Sequence, residues 1–305
     1  MRLGALSQAE LGRRLRQGVL TLSMAPFTVR IRSDVPQITA QIARMYGDFL
    51  LAEPTGFCDF QVEVMRSRGW RRWIKPLAEF SFDGARSFVP LPAQQCFTML
   101  EWGLNWCVAA HAHQYLLIHA AVLEMNGRAV LLPAPPGSGK STLCAGLVHR
   151  GWRLISDELA LLDMDSGLVR GMARPVNLKN QSIEVIRAFE PTAELTDAVP
   201  NTNKGTVALM RPPGWAVERV LEPARPTWIV LPRYSPGAAA RFTPIEKSLT
   251  FMTVAEQSFN YDIHGERGFH ALGRVVDQCR TLEFEYSALE DAAQQFAALA
   301  SAEAA

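Results

Sequence analysis

The stretch Ala129-Val130-Leu131-Leu132-Pro133-Ala134-Pro135-Pro136-Gly137-Ser138-Gly139-Lys140-Ser141-Thr142 decides the reading of this chain. Its opening apolar run suits a strand buried on both faces, and the residues after Lys140 have the composition of a helix. A glycine-bearing loop lies between them. Glycines let consecutive backbone N–H groups turn inward around phosphate oxygens, and the N-terminus of the following helix adds partial positive charge. A lysine closing such a loop reaches the β- and γ-phosphates, and the next hydroxyl can hold Mg²⁺. Pro136, Gly137, Ser138, Gly139, Lys140, Ser141 and Thr142 are therefore the candidate nucleotide-binding residues, with Ser141 also a candidate metal ligand. A nucleoside triphosphate, taken as ATP, with Mg²⁺ is the expected ligand. Ala134 stands where such loops usually begin with glycine, and because alanine resists positive φ, the loop must start in ordinary backbone conformation.

Downstream, the helix from Ser141 is expected to end at Gly151, followed by a strand over 152–155 that runs into Ser156-Asp157-Glu158. In a βαβ unit both strand ends open on the same sheet edge, which brings Asp157 and Glu158 to the triphosphate. A carboxylate there can hold Mg²⁺ or accept the proton of an attacking hydroxyl. Arg174-Pro175-Val176-Asn177-Leu178-Lys179 and Asn203-Lys204-Gly205-Thr206-Val207 read as two polar, basic loops. Cations that neutralise charge on a migrating phosphoryl group would come from Arg174, Lys179 and Lys204.

Upstream, Asn126-Gly127 is a hairpin signal that pairs a strand over 116–124, carrying His119, with one over 128–132. Residues 92–112 show helical spacing. Residues 1–91 read as a small α/β module, with a strand over 27–32, a helix over 37–51 and strands over 60–65 and 79–82; residues 92–305 form the domain that carries the loop. Helices over 256–279 and 289–300 close the chain.

The 305 residues carry a net charge of +1 with no long basic block, so nothing points to a nucleic-acid partner. The segment 66–75 interleaves Arg66, Arg68, Arg71, Arg72 and Lys75 with Trp70 and Trp73; such a pattern is more often an amphipathic edge whose tryptophans pack inward, and otherwise could grip an acidic peptide, phosphate or membrane surface. Five cysteines without a Cys-x-x-Cys spacing suggest neither a disulfide framework nor a zinc site. No apolar run is long enough to span a membrane without interruption, and reduced thiols in the cytoplasm fit best.

Together, Ile118-His119-Ala120-Ala121, the Gly-Ser-Gly-Lys-Ser loop, Ser156-Asp157-Glu158, Arg174-Pro175 and Lys204-Gly205-Thr206-Val207 resemble the bacterial HPr serine kinase/phosphorylase catalytic domain. The nearer likeness is to HPr-kinase-related kinases of the A type and to kinases of lasso-peptide precursors. The resemblance covers about residues 92–305 and implies an α/β P-loop fold of the phosphoenolpyruvate-carboxykinase-like group, with mixed sheets. It implies a cytoplasmic, ATP- and Mg²⁺-dependent serine kinase acting on a peptide or small protein, and leaves homo-oligomerisation open. Carried over residue by residue, it makes Asp157 the proton acceptor, Glu158 its neighbour at the metal, His119 the family's histidine before the hairpin, and Arg174 and Lys204 the charge-neutralising cations. The family's glycine-rich phosphorolysis signature is missing from Ile183-Glu184-Val185-Ile186-Arg187-Ala188, so the reverse reaction is not expected. A small-molecule kinase and a non-catalytic nucleotide-binding scaffold are the alternatives that residues alone leave open.

Overall fold

The computed structural model describes residues 1–67, 74–135 and 137–302. Pro136 and the central part of the basic segment, 68–73, lie outside the described residues. The fold is mixed α/β with several sheets.

The first sheet comprises β1 (Leu20–Met24), β2 (Phe27–Ser33), β3 (Leu50–Leu51), β4 (Phe60–Arg66), β5 (Leu77–Phe82), β6 (Ala85–Arg86) and β7 (Leu91–Pro92). Its order is β3-β1-β2-β4-β5-β6 with β7 beside β5, and only β2 and β4 run parallel. Helices α1 (Gln8–Gln17) and α2 (Pro36–Met45) share its core. The helix expected over 37–51 stops at Met45, because the chain turns at Tyr46 and Gly47 and Leu50–Leu51 leave to pair with β1. The sequence reading overlooked α1 and β1.

Helix α3 (Cys96–His111) is apolar almost all round, the signature of a helix packed on more than one side. Its Gly103 lies flat on the ring of Phe80 in β5, where an added Cβ would come within 2.2 Å of the ring. That close approach locks α3 into the first core.

The second sheet, order β11-β9-β10-β17-β19-β18, carries the glycine-bearing loop before Lys140. Its strands are β9 (Ala120–Met125), β10 (Arg128–Pro133), β11 (Arg153–Ser156), β17 (Arg225–Tyr234), β18 (Arg241–Pro244) and β19 (Arg280–Tyr286). Strands β10, β17 and β19 are mutually parallel, and β9 runs antiparallel to both β10 and β11. The C-terminal ends of β10, β11, β17 and β19 and the N-terminal end of β9 therefore open on one edge. Alternation along the strands feeds two cores. Ala121, Leu123, Val130 and Leu132 face α4 (Lys140–Val148) and α9 (Leu289–Ala302), whereas Ala120, Val122, Ala129 and Leu131 face α8 (Tyr261–Gln278). Burial on both faces explains the unbroken apolar run before the loop. At the far end, Arg153 and Glu124 form a buried ion pair, and Arg153 also donates to the carbonyls of Arg219 and Glu222 at 2.8 and 3.1 Å.

Asn126 and Gly127 have φ of 54° and 80°, as the tight β9–β10 hairpin demands. The strand expected over 116–124 is broken at His119. Its first part, β8 (Leu116–Ile118), joins β12 (Ala160–Leu162) and β13 (Val169–Arg170) in a separate three-stranded sheet. The His119 N–H donates to the Gln257 carbonyl at 2.7 Å and so leaves the ladder. The helix expected over 256–279 begins only at Tyr261 as α8, and α7 (Lys247–Glu256), which precedes it, was not expected; between them Asn260 accepts from the Leu117 N–H and donates to the Tyr115 carbonyl, each at 2.9 Å. Residues 176–179, read as loop, are strand β14 (Val176–Lys179), paired with β16 (Gly205–Met210), which is also flanked by β15 (Val199–Thr202). Helices α5 (Gln181–Phe189) and α6 (Gly214–Glu218) complete the described chain. No helix among the described residues is long and apolar enough to cross a membrane.

Candidate active site

The loop from Ala134 to Gly139 crosses the C-terminal edge of the second sheet and starts α4. Among the described loop residues positive φ is confined to Gly137 (91°) and Gly139 (88°), so Ala134, buried, keeps the ordinary conformation its side chain requires. Gly139 is doubly constrained: besides its φ, an added Cβ would lie 2.5 Å from the Tyr286 hydroxyl and 3.1 Å from Tyr234 Cβ. These two tyrosines hold the loop from the strand ends. The Tyr234 N–H donates to the Ser138 carbonyl at 3.1 Å, and the Tyr286 hydroxyl donates to the Gly139 carbonyl at 3.0 Å. Helix α4 has no side-chain cap, so its first N–H groups face the loop.

Asp157 and Glu158 follow β11 directly. Asp157 is buried; its Oδ2 accepts from the Asn177 N–H at 3.0 Å and its Oδ1 has no partner. Burial pushes its carboxyl up to about 6, and the neighbouring Glu158 charge adds to the rise. Burial would raise Glu158 as well, but Lys204, Lys179 and Lys140 together outweigh it and hold that carboxyl below its ordinary range. Two adjacent acids thus have their proton affinities driven apart, the pattern of a site that separates acid–base from charge-holding work. Glu158 accepts from the Asn105 amide at 2.5 Å and from the Asn177 amide at 3.4 Å, with the Lys179 ammonium at 4.0 Å.

The cations come from several elements. Lys140 is 7% exposed, and burial lowers its ammonium despite the attraction of Asp157 and Glu158. Lys204, on the β15–β16 turn, holds its ammonium 5.0 Å above the Trp102 ring, and desolvation lowers it too. Arg174 is buried, donating to the Asn105 side-chain Oδ1 and facing Glu101 at 3.9 Å. His119 sits at the strand break, its ring 5.8 Å from that of Phe259. Burial and the Lys140 charge push it down to about 4, so it is neutral at pH 7 rather than a cation.

The sheet edge therefore brings together Lys140, Asp157, Glu158, Arg174, Lys179, Lys204 and His119. Ser138 Oγ, Lys140 Nζ, Asp157 Oδ1, Asn177 Oδ1 and two guanidinium nitrogens of Arg174 are buried without hydrogen-bond partners. They are six of the ten such side-chain atoms among the described residues, whereas the large majority of buried polar atoms in folded proteins are paired. Beneath the acids, Asp157, Glu158, Arg174 and Asn177 line a cavity of about 20 Å³, room for one water-sized occupant. Unpaired donors and acceptors side by side fit a charged ligand carrying both phosphate oxygens and a metal ion. Ser141 with the two carboxylates offers the hard oxygen donors that Mg²⁺ prefers. Among the described residues no cluster of three or more His, Cys, Asp or Glu could hold a metal alone, so phosphate oxygens would complete its shell, as is usual for Mg²⁺.

The sequence reading missed Asn177, Asn105, Glu101 and Tyr46. Asn177 lies inside a quoted stretch without a role. Glu101 and Asn105, four apart on an otherwise apolar helix, are the one signal that could have exposed α3 as part of the site.

Residues 94–170 match the family described as SynChlorMet cassette protein ScmC. That segment includes α3, the loop and both acids, but not Arg174, Lys179 or Lys204. Among solved structures, the HPr(Ser) kinase/phosphatase from Coxiella burnetii aligns at 13% identity and a TM-score of 0.27, over 60% of this chain and 96% of that chain. No curated protein matches the sequence.

Proposed function

We propose that this chain is an ATP- and Mg²⁺-dependent kinase that transfers the γ-phosphoryl group to a hydroxyl, a serine of a peptide or small protein. The observation that carries the reading is the set of buried, unpaired polar atoms on Ser138, Lys140, Asp157, Arg174 and Asn177. A buried ammonium without a hydrogen-bond partner and a buried carboxylate with one oxygen unpaired are expensive, and a triphosphate with its metal would satisfy both. Lys140 and the loop amides hold phosphate oxygens, and Ser141 and Glu158 are the ligands available to Mg²⁺, which when bound neutralises phosphate charge. Asp157 takes the proton as the acceptor oxygen bonds to the γ-phosphorus and the bond to the β-γ bridging oxygen breaks, releasing ADP. A carboxyl raised to about 6 suits a base working near neutral pH. Arg174 and Lys204 offset charge on the migrating group. Neutral His119 supplies a hydrogen bond at the same edge.

The test is transfer from [γ-³²P]ATP to proteins of a host lysate. Wild type labels a hydroxyl-linked acceptor, and Asp157→Asn loses about 10²–10⁴ in rate with nucleotide binding intact, the usual worth of a general base. Full turnover by Asp157→Asn at saturating nucleotide would remove Asp157 from this role.

A further inference from the structure

Helix α3 belongs to the first core yet reaches the site with three side chains. On one side Gly103 rests on Phe80, and Leu100, Leu104 and Cys107 are buried in the first core. On the other, Trp102 lies under the Lys204 ammonium, Glu101 faces Arg174, and Asn105 binds Arg174 and Glu158 at once. Tyr46, at the end of α2, donates its hydroxyl to Glu101 and ties that carboxylate back to the first core. A chain of direct contacts thus runs from Tyr46 through Glu101, Arg174 and Asn105 to Glu158.

The chemistry of Asn105 is specific. An ionised carboxylate only accepts and a guanidinium only donates. A side-chain amide offers one of each on a single planar end, so its oxygen takes the Arg174 N–H while its nitrogen gives to Glu158 Oε2. Without that amide, the buried guanidinium and the carboxylate would satisfy each other directly. Glu158 would then be spent on Arg174 instead of facing the lysines and the phosphate loop, and Arg174 would leave Glu101.

We propose that Asn105, backed by Glu101 one turn earlier, is a positioning residue that keeps Arg174 and Glu158 apart and aimed at the phosphate site, which makes the first sheet a working part of the active centre. The kinetic half of this proposal rests on the kinase reading; the structural half does not. Three full-length proteins test it: wild type, Asn105→Leu, which fills similar space without hydrogen bonds, and Asn105→Asp, which keeps the acceptor for Arg174 but repels Glu158. Calorimetry with Mg·ATP and measurement of ADP release are paired with crystal structures of wild type and each variant. Both variants are expected to weaken Mg·ATP binding, because Glu158, a ligand available to Mg²⁺, is drawn off or repelled, and to lose roughly 10–100-fold in turnover at saturating nucleotide, typical for a group that orients a ligand. In the Asn105→Leu crystal, Arg174 is expected to move onto Glu158. A merely structural role would instead lower the melting temperature and leave turnover per folded molecule unchanged. Unchanged turnover, or Arg174 and Glu158 superposing on wild type in the variants, overturns the proposal. If wild type itself neither binds Mg·ATP nor releases ADP, the kinase reading fails and the crystal comparison still decides the positioning role. If Asn105→Leu does not fold, Asn105→Asp decides, by displacement of Glu158 or its absence.

Discussion

Replacing Asp157 by asparagine should make this protein more stable above neutral pH, and the amount follows from the site's own geometry. Asp157 is 5% exposed and one of its oxygens has no partner, so its charge is poorly solvated in the native state. Its carboxyl rises from 3.8 to about 6, chiefly by burial and then by the Glu158 charge. A rise of about two units corresponds to about 3 kcal/mol. The sign follows from proton binding: between 3.8 and about 6 the folded state holds a proton that the unfolded chain has released, so stability is highest below the lower value and is lost as pH rises through the upper one. Asparagine never ionises, and its carbonyl oxygen still accepts from the Asn177 N–H. Asp157→Asn is therefore expected to match wild type near pH 4 and to exceed it by about 3 kcal/mol at pH 8, read from urea unfolding transitions across that range. A difference that does not change with pH, or a variant less stable than wild type at pH 8, would refute the reasoning. Stability surrendered at a buried acid is what a site kept for chemistry shows.

Two further outcomes follow from the scaffold. Gly139→Ala carries both a left-handed backbone, about 1–2 kcal/mol, and a clash with the Tyr286 hydroxyl 2.5 Å away, about 1–3 kcal/mol. Tyr286→Phe should relieve the second cost only, so a double-mutant cycle on stability is expected to be non-additive, and strict additivity would be the contrary result. Arg153→Met takes from buried Glu124 its nearest cation, leaving Arg219 at 3.7 Å, at the end of the sheet opposite the loop, and is expected to cost about 3 kcal/mol in denaturant unfolding without changing Mg·ATP affinity.

The strand, glycine-bearing loop and helix around Lys140 were legible because their signal is local: a buried strand, two glycines and a lysine within a dozen residues. The placement of Asp157 and Glu158 followed from the same unit, since β10 and β11 run the same way on either side of β9. What stayed hidden depends on distant partners. Asn105 and Arg174 are 69 residues apart and Tyr46 and Glu101 are 55 apart, and no periodicity in the chain marks such pairs. The break at His119 was hidden for a related reason, because its N–H is taken by the Gln257 carbonyl and not by a neighbouring strand. The overrun of α2 came from Phe49, Leu50 and Leu51, which prolong an apolar pattern past the turn at Gly47 while serving as strand and core.

The most direct test of the phosphate site is a calorimetric titration of wild type and Lys140→Ala with Mg·ATP. The Lys140 ammonium is buried without a hydrogen-bond partner, so removing it should leave the fold at least as stable. It should weaken nucleotide binding by about 10- to 150-fold, the worth of a charge-assisted contact of roughly 1.5–3 kcal/mol. Equal affinity in the two proteins, or no binding of Mg·ATP by wild type, would contradict the assignment of this edge as a nucleotide site.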